Sequence, residues 1–216
     1  MNRRHVIGGL AAAATLSTFE IFAPNTARAA YSCSRPRPFN GGLVRNCSVG
    51  FRIRGFTASQ RCDQWCWAAC IEAAFKLNGF RVSQEVIVDK LFGAGRPCRP
   101  SVGPQIAAAV EGDWVDRDGR EFSATTNTHL DVQFGVRDPR ALQNVSRYLA
   151  DEVPVIIGTL GHATLVTSMS WIEDNFGQQK LTEIVVRDPW PGRPNRRRLS
   201  AQEFQGATYI SAVIVD

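Results

Sequence analysis

The chain has 216 residues, 44% of them hydrophobic and 21% charged, a balance that can build one sizeable core and excludes a wholly disordered or collagen-like chain. Its formal charge of +5 and 9% aromatic content give no argument for a nucleic-acid partner, and none is expected. Function has to be read from local motifs.

Residues 1–29 read as an export signal that is cleaved. Arg3 and Arg4 precede an apolar run from Val6 to Thr18, and Ala27-Arg28-Ala29 before Ala30 forms a small-residue cleavage site. Glu20 and Pro24 interrupt the apolar stretch before it reaches the roughly 20 residues that span a bilayer, so no stable membrane insertion is expected after cleavage. The paired arginines fit a twin-arginine signal in part, and ordinary secretion stays open. Either route delivers a periplasmic or secreted protein. Losing three arginines and one glutamate with the signal lowers the charge from +5 to +3. All six cysteines (Cys33, Cys47, Cys62, Cys66, Cys70 and Cys98) lie beyond the cut, in a compartment where disulfides persist.

Residues 30–58 carry Arg35-Pro36-Arg37-Pro38, Gly41-Gly42 and short apolar pieces, and read as an irregular lead-in. CWAACIEAAFKL, from Cys66 to Leu77, is rich in alanine and long apolar side chains and stops at Asn78-Gly79, which predicts a buried helix. Ser83 caps a second helix over Glu85 to Leu91, and Pro104 opens a third through Val110. WVDRDGREF suggests a hairpin turning at Asp118-Gly119, and Pro139 to Ala150 another helix. Four β-branched segments follow: VPVIIGTL (153–160), ATLVTSMSWI (163–172), LTEIVVRD (181–188) and ATYISAVIV (207–215). Ser200 and Glu203 fit a capping box between the last two. Helices before antiparallel-looking strands make the class α+β.

A polar loop, Gln60 to Trp65, runs into the buried helix with Cys66 at the junction. A thiol there meets unpaired backbone N–H groups and the positive end of the helix dipole, both of which favour thiolate. Read alone, Cys62, Cys66 and Cys70 are equally disulfide partners, while their spacing matches neither zinc nor iron–sulfur patterns, so no metal is expected. Beyond the signal there are two histidines. His129 sits in a polar stretch that reads as a solvated loop, whereas His162 follows Gly161 and opens a strand at a sheet edge. Asp188 closes the next strand, where antiparallel pairing brings its carboxylate to the imidazole. Thiol, imidazole and carboxylate in this order form the constellation of a thiol acyl-transfer enzyme. Gln60, six residues before Cys66, adds a side-chain amide that with the Cys66 N–H makes an oxyanion hole; Gln64 is the competing donor.

Gln60 with Cys66-Trp67-Ala68-Ala69, Gly161-His162-Ala163 and Asp188-Pro189-Trp190 resemble the papain-like cysteine peptidases, in detail their bacterial C39-like and C70-like branches. The resemblance covers roughly residues 58–216 and implies a catalytic domain over 59–216 with a two-lobed fold. One lobe carries the nucleophile helix, the other a twisted antiparallel sheet bearing the histidine, and an extended peptide binds between them. Asp188 stands where papain itself has asparagine, and the ATP-binding and membrane segments that accompany C39 export domains are missing from the sequence. The reading is a peptidase needing no cofactor and acting on a peptide or protein. Its rivals are an acyl transferase or cross-linking enzyme on the same triad, and a non-catalytic binding protein with oxidised cysteines. Trp65 and Gly161 are expected at the substrate cleft, Trp67 in packing. A bridge between Cys66 and Cys70, one helical turn apart, is geometrically poor, so Cys70 is a buried thiol or bridges elsewhere. Cys33, Cys47, Cys62 and Cys98 then form a bonded set with three connectivities open. Arg193, Arg196, Arg197 and Arg198 read as a solvated loop.

Overall fold

The computed structural model describes residues 29–51 and 59–216. The expected export signal, apart from Ala29, lies outside the described residues. In chain order the elements are β1 (Ala30–Cys33), β2 (Arg37–Phe39), β3 (Gly42–Gly50), α1 (Cys66–Leu77), α2 (Gln84–Phe92), α3 (Gly103–Val110), β4 (Gly112–Val115), β5 (Glu121–Asp131), β6 (Val136–Arg137), α4 (Ala141–Ala150), β7 (Val155–Thr159), β8 (His162–Asp174), β9 (Gln179–Arg187), β10 (Arg196–Arg198), α5 (Ala201–Gln205) and β11 (Ala207–Val215). The result is a mixed α and β fold built on one large antiparallel sheet with the order β1-β3-β8-β7-β11-β5-β4, β9 and β10 branching from β8.

The helix over 66–77 has the expected ends. It is a buried helix because CWAACIEAAFKL has apolar or small residues nearly all round: Trp67 to Phe75 are buried without a break, and α1 packs on β8. Its one buried carboxylate, Glu72, accepts 2.6 Å from Gln84 Nε2 and lies 3.8 Å from both Arg61 and Lys76. Phe75 meets Trp114 and Phe122 edge to face, which ties α1 to the β4–β5 hairpin. That hairpin turns at Asp118-Gly119 as expected: Gly119 has φ +79°, and the Asp116 carboxylate accepts from the N–H groups of Asp118 and Arg120.

Three sequence expectations are corrected. Residues 30–50 are three strands rather than an irregular lead-in. β3 pairs with the second half of β8, from Val44↔Asp174 to Gly50↔Ser168, directly beyond the point where β7 leaves it. The prolines and glycines that suggested irregularity sit in and around the β1–β3 connections, while Val44, Cys47, Val49 and Phe51 enter the core. His129 is buried on β5, not solvated, with Nδ1 2.7 Å from Asp138 and Nε2 3.4 Å from Tyr148. Arg196 to Arg198 of the arginine run form a strand, β10, paired to the end of β9 through Arg197↔Val186, while Arg193 lies in the exposed loop before it.

Cys33 pairs with Cys47 and Cys62 with Cys98, which selects one of the three connectivities, and Cys66 and Cys70 are free. Among the described residues no helix is long and apolar enough to cross a membrane.

Candidate active site

Cys66 is the first residue of α1, after a turn closed by the Trp65 N–H on the Cys62 carbonyl at 3.0 Å. Its own N–H therefore has no intrahelical acceptor, the normal state of a first-turn amide. The sulfur accepts a hydrogen bond from the Ala163 N–H at 3.4 Å, reaching from the start of β8.

His162 is placed by a two-residue hairpin. Leu160 and Gly161 both have positive φ, +49° and +78°, the backbone that matches the twist of flanking strands. The hairpin closes on the Thr159↔His162 pair, so His162 opens β8 directly above the N-terminus of α1. Its Nε2 lies 2.7 Å from Asp188 Oδ1, which leaves Nδ1 for the Cys66 side, and the two side chains are close enough to shift each other's proton affinity. Asp188 directly follows β9, whose pairing Leu165↔Arg187 sets it beside the start of β8. The structure thus brings Cys66, His162 and Asp188 to one place, the sulfur beside the start of β8 and the imidazole bonded to the carboxylate.

The Asp188 side chain is fully buried. Oδ1 also accepts from the Trp190 N–H at 2.9 Å, and Oδ2 accepts from Arg197 Nε at 2.6 Å and Arg193 Nη1 at 3.5 Å. Burial opposes ionisation, but the bonds from His162, Trp190 and Arg197 outweigh it and hold the carboxyl well below the usual range. Burial likewise disfavours the imidazolium, yet Asp188 and then Cys66 push His162 up to about 9. For Cys66 burial alone would raise the thiol; His162, the Ala163 N–H and the Trp67 N–H together leave it lowered. These opposed shifts favour a thiolate–imidazolium pair. The Trp190 ring and the imidazole meet edge to face, ring centres 6.0 Å apart.

Gln60 is buried beside this group, its N–H donating 2.9 Å to the Pro189 carbonyl. Its Nε2 donates to the carbonyls of Cys62 (3.1 Å) and Asp63 (2.9 Å), and Oε1 has no partner among the described residues. At rest this amide braces the loop that delivers Cys66. Trp65 does not line a cleft. It is buried, and its indole N–H is held by the Pro97 carbonyl at 3.0 Å; Trp67 bonds the Arg99 carbonyl at 3.2 Å, so both indoles fasten the 97–99 loop already bridged by Cys62–Cys98. Gly161 lies exposed at the turn tip, with nothing within 4 Å of an added Cβ; its positive φ is what the site uses.

Sequence reasoning missed Arg197. Its neighbours on β10 are more exposed and only the middle side chain turns inward, a period-two signal hidden inside a run of like charges. The buried Cys70 thiol is pushed well up, first by burial and then by the nearby charges of Cys66 and Asp188. Among the described residues no group of three His, Cys, Asp or Glu side chains is placed to hold a metal ion. Comparison with known proteins finds no family model that matches the chain and no curated protein similar to it.

Proposed function

We propose that the chain is an exported thiol enzyme that hydrolyses peptide bonds through Cys66, His162 and Asp188, in the manner of the papain-like peptidases it resembles. The observation that carries this reading is a free sulfur at a helix N-terminus, bonded by the N–H of the residue after His162, with the imidazole of His162 held 2.7 Å from the Asp188 carboxylate. Nucleophile, base and orienter stand in the order that acyl transfer requires.

The Cys66 thiolate attacks the scissile carbonyl, a C–S bond forms and the oxygen takes the negative charge. The Cys66 N–H stabilises that oxyanion, joined by the Gln60 amide once it releases one loop carbonyl. Imidazolium Nδ1 gives its proton to the leaving nitrogen as the C–N bond breaks, leaving a thioester and a neutral ring. His162 then takes a proton from water, whose oxygen displaces the sulfur and restores the ion pair. Asp188 keeps Nδ1 aimed at the reacting atoms throughout. The two cysteine pairs fit an oxidising compartment, in keeping with export.

The test is alkylation by iodoacetamide followed by mass spectrometry, with product analysis in the presence and absence of an added amine. A single fast-reacting sulfur at Cys66, free-acid products, and a Cys66→Ala variant that is folded and inactive are expected. Amide products select a transferase instead. Absence of a reactive Cys66 sinks the enzymatic reading in favour of a binding protein.

A further inference from the structure

We infer that Arg197 is a positioning residue for the carboxylate of the triad, and that Glu203 with the cap of α5 holds Arg197 in place. The inference rests on the reading of Cys66, His162 and Asp188 as an acyl-transfer site.

A carboxylate aligned on a histidine has two oxygens to satisfy, and Asp188 has no access to water. Oδ1 is used by His162 and the Trp190 N–H. On Oδ2 the Arg193 contact is long, at 3.5 Å from a half-exposed side chain, which leaves Arg197 Nε at 2.6 Å as the bond that fixes the carboxylate's rotation. Without it a buried oxygen stands nearly unpaired, a costly state that the side chain relieves by turning away from the imidazole.

Arg197 is itself over-determined. Its Nη1 and Nη2 donate to Glu203 Oε2 and Oε1 at 3.0 and 2.7 Å, a fork-to-fork pair that a lysine cannot copy. Glu203 is in turn fixed at the third position of α5: its carboxylate accepts from the Ser200 N–H at 2.9 Å while the Ser200 hydroxyl accepts from the Glu203 N–H at 3.2 Å. From His162 outward the charges alternate, imidazolium, Asp188, Arg197, Glu203, so each ion faces opposite neighbours. β10 makes this possible by turning only its middle residue inward, opposite Val186, two residues before Asp188.

The experiment uses p-nitrophenyl acetate as an acyl donor. Cys66 takes the acetyl group and releases p-nitrophenolate in a burst, and His162 then draws a proton from the water that frees acetate. Arg197→Gln should slow the steady-state release by about 10- to 100-fold, the scale set by leaving a buried charged acceptor short of its partner. In an Asp188→Asn background the same substitution should change the rate by less than about threefold, because the carboxylate through which Arg197 acts is gone. Equal losses in both backgrounds, or a wild-type rate in Arg197→Gln, overturn the inference. Should Arg197→Gln fail to fold, Glu203→Gln keeps Arg197 on Asp188 and should show a smaller loss of the same sign; an unchanged rate there overturns the role of the cap. A wild-type chain with neither burst nor fast alkylation at Cys66 refutes the underlying enzyme reading instead.

Discussion

Proton affinities at Cys66 and His162 are moved in opposite directions, and this decides how stability responds to pH. His162 is raised from 6.5 to about 9, so its contribution is fully present below 6.5 and is lost as pH rises through about 9. Cys66 is lowered from 9.0, so its contribution grows as pH rises from the lowered value toward 9.0. Above the lowered Cys66 value and below about 9 the folded pair holds one proton, as the unfolded pair does between 6.5 and 9.0, and there the two dependences cancel. Cys66→Ala removes one side of this balance while Asp188 still supports the imidazolium. The variant should lose thermal stability between pH 6 and pH 9 more steeply than the wild type; parallel melting curves would contradict the ion pair. Gln60 offers a second test. Its amide must break a loop bond to meet an oxyanion, so Gln60→Ala should slow the p-nitrophenyl acetate burst by about tenfold, short of the roughly 10² to 10³ lost with a preorganised donor. A melting temperature lowered in the same variant would reflect the freed carbonyls of Cys62 and Asp63.

The segment before the nucleophile helix is structural. β3 completes the flank of β8 that β7 leaves open, and Val49 and Phe51 pack with the core while Tyr31 lies against Trp171. Each fully buried Val or Phe side chain contributes about 1.5 to 3 kcal/mol, against a total stability of about 5 to 15 kcal/mol for a domain. A chain beginning at residue 59 should therefore fail to fold cooperatively, as read by circular dichroism and thermal melting; a stable, more active product would make the segment an inhibitory pro-piece. The helices and the late strands were legible in the sequence because their patterns are local: the alanine-rich run of α1, the Ser200 cap, the β-branched runs of β7 to β9 and β11. β3 was not, because its stability comes from a partner more than a hundred residues away and its short apolar pieces are masked by the arginines, prolines and glycines of the connections before it.

Long-range links knit the nucleophile loop into the molecule. Cys62–Cys98 closes a loop with a sequence separation of 36, which a chain-entropy argument makes worth about 3 to 4 kcal/mol. A Cys62→Ser, Cys98→Ser double variant should melt well below the wild type and react more slowly at Cys66, as the loop that presents it loosens; unchanged melting and reactivity would show the loop to be held by the two indoles alone. The Cys66, His162 and Asp188 group was legible because each member closes or opens an element with its own pattern. Arg197 was hidden by arginines on either side, Trp65 by the expectation that an aromatic beside a thiol lines a cleft, and His129 by polar neighbours that alternate across a strand. The seclusion of Cys70 has a practical side. With four sulfurs cross-linked and a fifth sealed beneath the helix, the native protein presents one address to a thiol-seeking dye. Bound dye per chain then counts competent molecules in a preparation, and the further equivalent that Cys70 takes up on denaturation counts every chain.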